Sequence, residues 1–299
     1  MHRNFEVDES LGNLPVDVII EFLRGVGDDA TADALRGSGG TGQGLRALTG
    51  FRPYLATGQA LGYVPTQVTD DLVTMVDAAE VDGDRSIVGT RLKVTLDHFY
   101  AAGYPGFGTR KILCDFEGKN QIASEDEPLR FGTTLEVRDG QNAGISGVPI
   151  FLGMTVGENG IQFEGRTIYV KNDLDDHIMS IFESDAYKRG ISLLDRVQPA
   201  LTPLAAATGN VIKFITTRKH NKQIFSFAMG LDFDGSATSN RLRYGSYVVV
   251  QDSGGERIDW SKLRWSRKTR QIVDATSGEP RTDWNFLVLG VSPFSVTMK

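Results

Sequence analysis

A thiol and an imidazole are the one pair in this chain whose types and spacing point to covalent chemistry. Cys114 is the single cysteine, and His98 is one of four histidines. A cysteine hydrolase needs the imidazole within hydrogen-bond reach of a sulfur that a positive or dipolar neighbour keeps as thiolate. His98 extends the alternating row Leu92, Val94, Leu96, and Cys114 sits in the row Ile112, Cys114, Phe116. If the two rows belong to paired strands, both groups face one side. Against the dyad stand the apolar neighbours in both rows, which raise a thiol's pKa and suit an inert, buried cysteine.

Carboxylates offer a second chemistry. Asp232 and Asp234 bracket Phe233 ahead of Gly235 and Ser236, which is part of the oxygen shell that calcium takes from a loop, but the later glutamate of an EF-hand is missing. Asp173, Asp175 and Asp176, with His177, fit the start of a helix better than a metal. One cysteine and no paired histidines leave no zinc spacing. Gly37, Gly39 and Gly42 match a dinucleotide fingerprint literally, yet the segment before them reads as helical, no βαβ unit follows, and no Lys-Ser or Lys-Thr pair completes a P-loop. A flexible, protease-accessible loop is the simpler reading of residues 37–44. No metal and no cofactor is expected.

Basic side chains form two groups. Lys213, Arg218 and Lys219 close one apolar stretch; Lys262, Arg264, Arg267, Lys268 and Arg270 form an acid-free run beside Trp260 and Trp265. Basic and aromatic residues together hold phosphates, stack on bases or lie at an anionic lipid surface. A net charge of −6 and a pI near 5.3 argue against nucleic acid. Three partners remain for these bases: another protein, an anionic membrane, and the chain's own acidic N-terminal part. Residues 1–85 carry a net −8, leaving +2 for residues 86–299, so the two parts attract one another within a chain or between chains.

These groups must be held by a fold, and the 299 residues suffice for one large domain or two ordinary ones. The composition, 40% hydrophobic and 23% charged, is that of a globular protein. The N-terminus has no apolar signal segment and the lone cysteine forms no internal disulfide, so a cytoplasmic location is expected.

The organising stretch is Arg91 to Gln121, read as two strands joined by a long antiparallel hairpin loop rich in glycine and proline. Before it, residues 14–82 read as helical and irregular: one helix from Asn13, one from Asp28, and one capped by Thr69-Asp70-Asp71 and carrying Leu72, Val73, Met75 and Val76. After it come an acidic loop at Glu125 to Pro128, strands at 129–138, 148–156 and 161–170, and a short hairpin turn at Gly157-Glu158-Asn159-Gly160, a meander of about five strands. Helices are expected within 173–220, with Ile191 at helical spacing and a run from Leu204 to Thr217. Strands return at 224–233, 244–251, 263–265, 271–273 and 286–291.

The expected fold is mainly β with an α insertion: an antiparallel sandwich of about nine to ten strands, residues 86–299, with the helical insertion at 173–220. Residues 1–85 form an acidic helical and irregular region packed on the β-domain or on a neighbouring subunit. The leading functional expectation is a non-enzymatic protein that forms a homo-oligomer or binds another protein. The alternatives are a membrane-active protein using the segment 190–217, released by cleavage near 37–44, and the cysteine hydrolase.

Overall fold

The computed structural model describes residues 9–37, 52–66, 69–122, 125–171, 191–192, 201–218, 221–233, 238–254 and 257–295. Expectations for residues 38–44, for Asp173 to Ile181, for Lys219 and for Asp234 fall outside them.

The chain is mainly β, built as two large sheets with a third, small one on the outside. Strand β13 (Gly245–Asp252) shows why. Its run of valines is buried from both sides: Val249 belongs to the main core, whereas Val248 and Val250 belong to a second core on the other face. A strand covered on both faces reads as continuous apolar sequence. It lies between β1 (Gly58–Pro65) and β16 (Asn285–Pro293), and the order continues through β4 (Arg91–Ala101) and β8 (Val148–Thr155). Short pieces complete this eight-stranded sheet: β3 (Val76–Asp77), β7 (Gln141–Asn142) and β10 (Ile191–Ser192).

The five-stranded sheet runs β12 (Asn240–Arg241), β11 (Lys222–Asp232), β9 (Ile161–Val170), β5 (Arg110–Ile122), β6 (Glu125–Val137). Ile112, Phe116, Phe131, Phe163 and Phe227 from it meet Val94, Leu96, Phe151, Leu287 and Leu289 from the larger sheet in the main core. The small sheet is β15 (Gln271–Asp274), β14 (Leu263–Ser266) and β2 (Leu72–Thr74). Beneath it Tyr100, Val248, Val250, Trp260, Phe286 and Val288 make the second core.

Several local expectations are overturned by long-range pairing. β4 and β5 are not a hairpin: β4 pairs with β16 and β8, β5 with β6 and β9, in different sheets. The loop between them crosses the sandwich. The meander fails for the same reason, since β8 and β9 also lie in different sheets and the turn at 157–160 closes only with a Gly157–Gly160 bridge. The real hairpin is β5–β6, paired from Arg110–Val137 to Ile122–Glu125, so the acidic residues from Glu125 begin a strand and not a loop. The helix expected over Leu72 to Val76 is replaced by β2 and β3, because β14 offers backbone partners to Leu72, Val73 and Thr74. Ile191 lies in β10, parallel to β8.

The helices at the N-terminus form as expected. Helix α1 (Val16–Gly25) buries Ile19, Phe22 and Leu23, and α2 (Asp29–Gly37) buries Thr31, Ala32 and Leu35, each on one helical face. Asp28 caps α2 by accepting from Thr31 N at 3.3 Å, and its other oxygen accepts from the Tyr54 hydroxyl at 2.5 Å. Phe22 meets Tyr169 of β9 edge-on, ring centres 5.7 Å apart, which keys the pair to the β-body.

A third helix, α3 (Leu201–Thr216), crosses β6, with Ile212 and Ile215 buried. Below it Asp115 of β5, 1% exposed, accepts from Arg130 at 3.0 and 2.8 Å and from Arg166 at 2.7 Å. The free edge of β11 is closed by a side chain: the Gln59 amide donates to Ala228 O at 2.7 Å and accepts from Ala228 N at 3.0 Å. Capping an edge in this way removes a template for unwanted strand pairing.

Candidate functional site

The structure separates the candidate dyad. Leu92, Val94 and Leu96 face the main core, and strict alternation would place His98 with them. However, the register against β16 slips by one residue, from Leu289 opposite Leu96 to Val288 opposite His98, so Asp97 is a bulge. His98 is thereby turned to the outer face, where it packs on Trp265, ring centres 5.6 Å apart, and on Phe286 at 5.8 Å, while Cys114 stays in the main core. Burial, with the Asp115 charge adding to it, raises the Cys114 pKa well above that of a free thiol. Nothing stabilises a thiolate there, so the pair has no route to nucleophilic chemistry.

His98 instead couples packing to pH. It is 2% exposed, its Nε2 donates to Asn142 Oδ1 at 2.9 Å, and its Nδ1 has no partner among the described residues. Burial lowers its pKa to about 4 from the usual 6.5. An imidazole that binds protons more readily unfolded than folded contributes stability that is full above pH 6.5 and is lost as pH falls toward 4. The full shift corresponds to about 3 kcal/mol. Asp97 acts in the opposite sense: burial raises its pKa, against the bond it accepts from Thr95 Oγ1 at 2.6 Å, so the fold binds its proton more tightly as pH falls. Urea midpoints measured from pH 7 to 4.5 should therefore show the wild type losing roughly 2 kcal/mol more than His98→Gln. Equal losses in the two proteins would remove His98 from this role.

Of the two carboxylates considered for metal, Asp232 accepts from Ser239 Oγ at 3.2 Å and from Arg241 at 3.1 Å, so a guanidinium already takes the place of a cation. Among the described residues no group of three metal-ligating side chains exists. The bases are distributed differently from their spacing in sequence. Lys213 is exposed on α3, and Arg218 lies over the Phe214 ring at 4.6 Å. Lys262 pairs with Asp259 at 3.1 Å, and Arg264 donates to the carbonyls of Ser261 and Leu263. Arg267, Lys268 and Arg270 project from the exposed turn joining β14 to β15. Their aromatic companions serve the interior: Trp260 is 5% exposed and its ring lies over Gly62, while Trp265 rests on His98.

The site that sequence reasoning missed is the loop crossing from β4 to β5. Arg110, 5% exposed, donates from Nε to Pro105 O at 3.2 Å and from Nη1 to Gly108 O at 3.1 Å, bonds Gly106 O through Nη2, and grips both oxygens of Asp139 at 3.0 Å each. Asp139 in turn accepts from Tyr104 N at 2.9 Å. Gly106 and Gly108 take positive φ of 84° and 75°, which other residues adopt at a cost. Held between them, Phe107 is 77% exposed. The fold thus spends a buried guanidinium on fixing a loop whose tip is an aromatic ring in water. The local signal was present as Pro105-Gly106-Phe107-Gly108 followed by Arg110.

A cleft of about 380 Å³ beside β1 is lined by Gln59, Asp77, Asp252, Arg257 and Trp260, among others. Its strongest polar groups are already bonded to one another, Arg257 to Asp77 at 2.9 Å. No helix among the described residues is long and apolar enough to cross a membrane. Comparison with known proteins finds no relative: no family model, no curated protein and no solved structure matches this chain.

Proposed function

We propose that this chain is a non-enzymatic assembly protein, a β-sandwich that works by self-association in a cytoplasmic setting. The observation that carries the reading is Phe107, exposed at the tip of a loop that Arg110 holds rigid. An exposed aromatic gains free energy when a partner covers it, and a loop already fixed in the unbound state loses little entropy on binding. Core aromatics need no such scaffold, and a loop with only a connecting role needs no exposed ring. The placement of Cys114 in the main core and of His98 against Trp265 on the outer face supports binding over catalysis through that pair.

Phe107→Asp tests the proposal. Because the ring is exposed, the substitution should leave the unfolding midpoint within about 0.5 kcal/mol of wild type. Light scattering at micromolar concentration should show multimers for the wild type and a 32.7 kDa monomer for the variant. A wild type that is itself monomeric throughout that range rejects the proposal.

A further inference from the structure

We infer that the small sheet β2–β14–β15 is an acid-operated lid: when His98 takes a proton, this sheet lifts as a unit from the outer face of the eight-stranded sheet while the main core stays closed. The device does not depend on the self-association proposed above.

The lid is separable by its bonding. Among the described residues the backbone hydrogen bonds of β2, β14 and β15 stay within that sheet and its turns, as from Arg267 N to Asp71 O and from Ala275 N to Lys262 O. Side-chain packing seats it, with Val73, Leu263 and Ile272 of the lid against Tyr100, Val250 and Phe286 of the sheet below. These residues form a core of their own, and the eight-stranded sheet is the partition between it and the main core. A unit with its own cluster of contacts opens at a lower free energy than the whole fold. The chain returns to the larger sheet through Met75, the single residue between β2 and β3, and through Trp284, immediately before β16; these are the hinges.

The latch lies in the seat. Trp265 of β14 stands edge-on to His98, ring centres 5.6 Å apart, and to Phe286 at 6.2 Å. With Nε2 donating to Asn142, a second proton must enter at Nδ1, and no acceptor among the described residues waits there. The Tyr100 hydroxyl, two residues along β4, is likewise buried without a partner among them. A closed lid leaves an imidazolium as an unpaired buried donor, whereas water reaches both groups once Trp265 moves away.

The surrounding charges do not compensate. Arg270, in the turn joining β14 to β15, opposes a proton on His98. Asp97, just before it on β4, gives up its own charge in acid more readily than a free carboxylate, because burial raises its pKa. Asp283, ahead of β16, is paired with Arg281, and its field falls on Tyr100. Asn142 of β7, Trp265 of β14 and Phe286 of β16 bring no charge. Closed, His98 binds its proton with a pKa of about 4; open, near 6.5. The closed form therefore loses ground as pH falls, and the opening constant should rise roughly 60-fold from pH 7 to pH 4.5.

Thiol labelling measures that constant even when opening is rare. Val250→Cys puts a reporter in the second core, and the native Cys114 reports on the main core of the same molecule. Rates of reaction with a dipyridyl disulfide, divided by the rate of a free thiol at the same pH, give the opening constant at each site. Between pH 7 and pH 4.5 the constant at position 250 should rise roughly 60-fold, and that at Cys114 should not follow it. With His98→Gln added, the rise should stay under about 3-fold; His98→Leu is a second neutral variant in case glutamine disturbs the fold. Val288→Cys repeats the measurement in the same core if Val250→Cys lowers the unfolding midpoint at pH 7. Two thiols that open together place the proton's effect on the whole fold and overturn the lid. No rise at position 250, or an equal rise without His98, overturns it as well.

Discussion

Asp115→Ala should lower stability by about 3–5 kcal/mol, because it strips a buried ion cluster of its shared acceptor. The carboxylate is almost fully enclosed and is the shared acceptor of Arg130 and Arg166. Removing it leaves two guanidinium groups facing each other, that of Arg130 against Gly209 of α3, mostly shielded from water and without the charge that brought them there. Arg130 also lies 3.4 Å from Glu117, which is far more exposed than Asp115. The helix cannot rise freely to admit solvent without giving up Ile212 and Ile215. Asp115→Leu combined with Arg130→Met and Arg166→Leu should recover most of the loss, because replacing a whole buried ion cluster by apolar side chains of similar size is often close to neutral. Urea unfolding checks both. A single-site loss below about 1 kcal/mol would mean that water reaches the arginines and that the cluster has little influence on how α3 is seated.

Arg110→Met should cost about 3 kcal/mol, and it should abolish assembly as well. The three carbonyls that the guanidinium holds are each worth roughly 1 kcal/mol net. Asp139, with half its side chain in water, adds little more, so Asp139→Ala should cost only about 1 kcal/mol. Arg110→Lys does not restore the loop, since an ammonium lacks the planar fork that reaches carbonyls on one side and a carboxylate on the other. The decisive reading is the NMR order parameters of the Gly106, Phe107 and Gly108 backbone, which should fall in Arg110→Met while those of the β5–β6 hairpin stay high, with multimers vanishing together with the loop's rigidity. Assembly that survives a mobile loop would show that Phe107 binds without being held in advance.

Local apolar patterning, as alternation, continuous run or helical period, was sufficient to place β11, β13, β14, β15 and β16 and the first two helices, because each of these is decided by neighbours a few residues away. A row such as Ile224, Phe225, Phe227, Met229 suits a strand wherever it pairs, and Ile19, Phe22 and Leu23 fall on one face of any helix. Leu72, Val73, Met75 and Val76 satisfy both the helical and the extended period, and only the backbone groups of β14 decided between them. The same limit hid the site. Phe107 was legible as an aromatic between glycines, but its exposure depends on Arg110 turning back onto three carbonyls and on Asp139 from another loop.

The order of residues was enough for the inventory: mostly strands, a helical start, an acidic leading part and a basic run late in the chain. Long-range pairing alone set which strands share a sheet and which face His98 occupies after the Asp97 bulge. The physical reason is that side-chain periodicity records burial but carries no label for the partner. One extra residue in β4 reverses every inference drawn from parity beyond it, and that residue becomes visible only when β16 lies alongside.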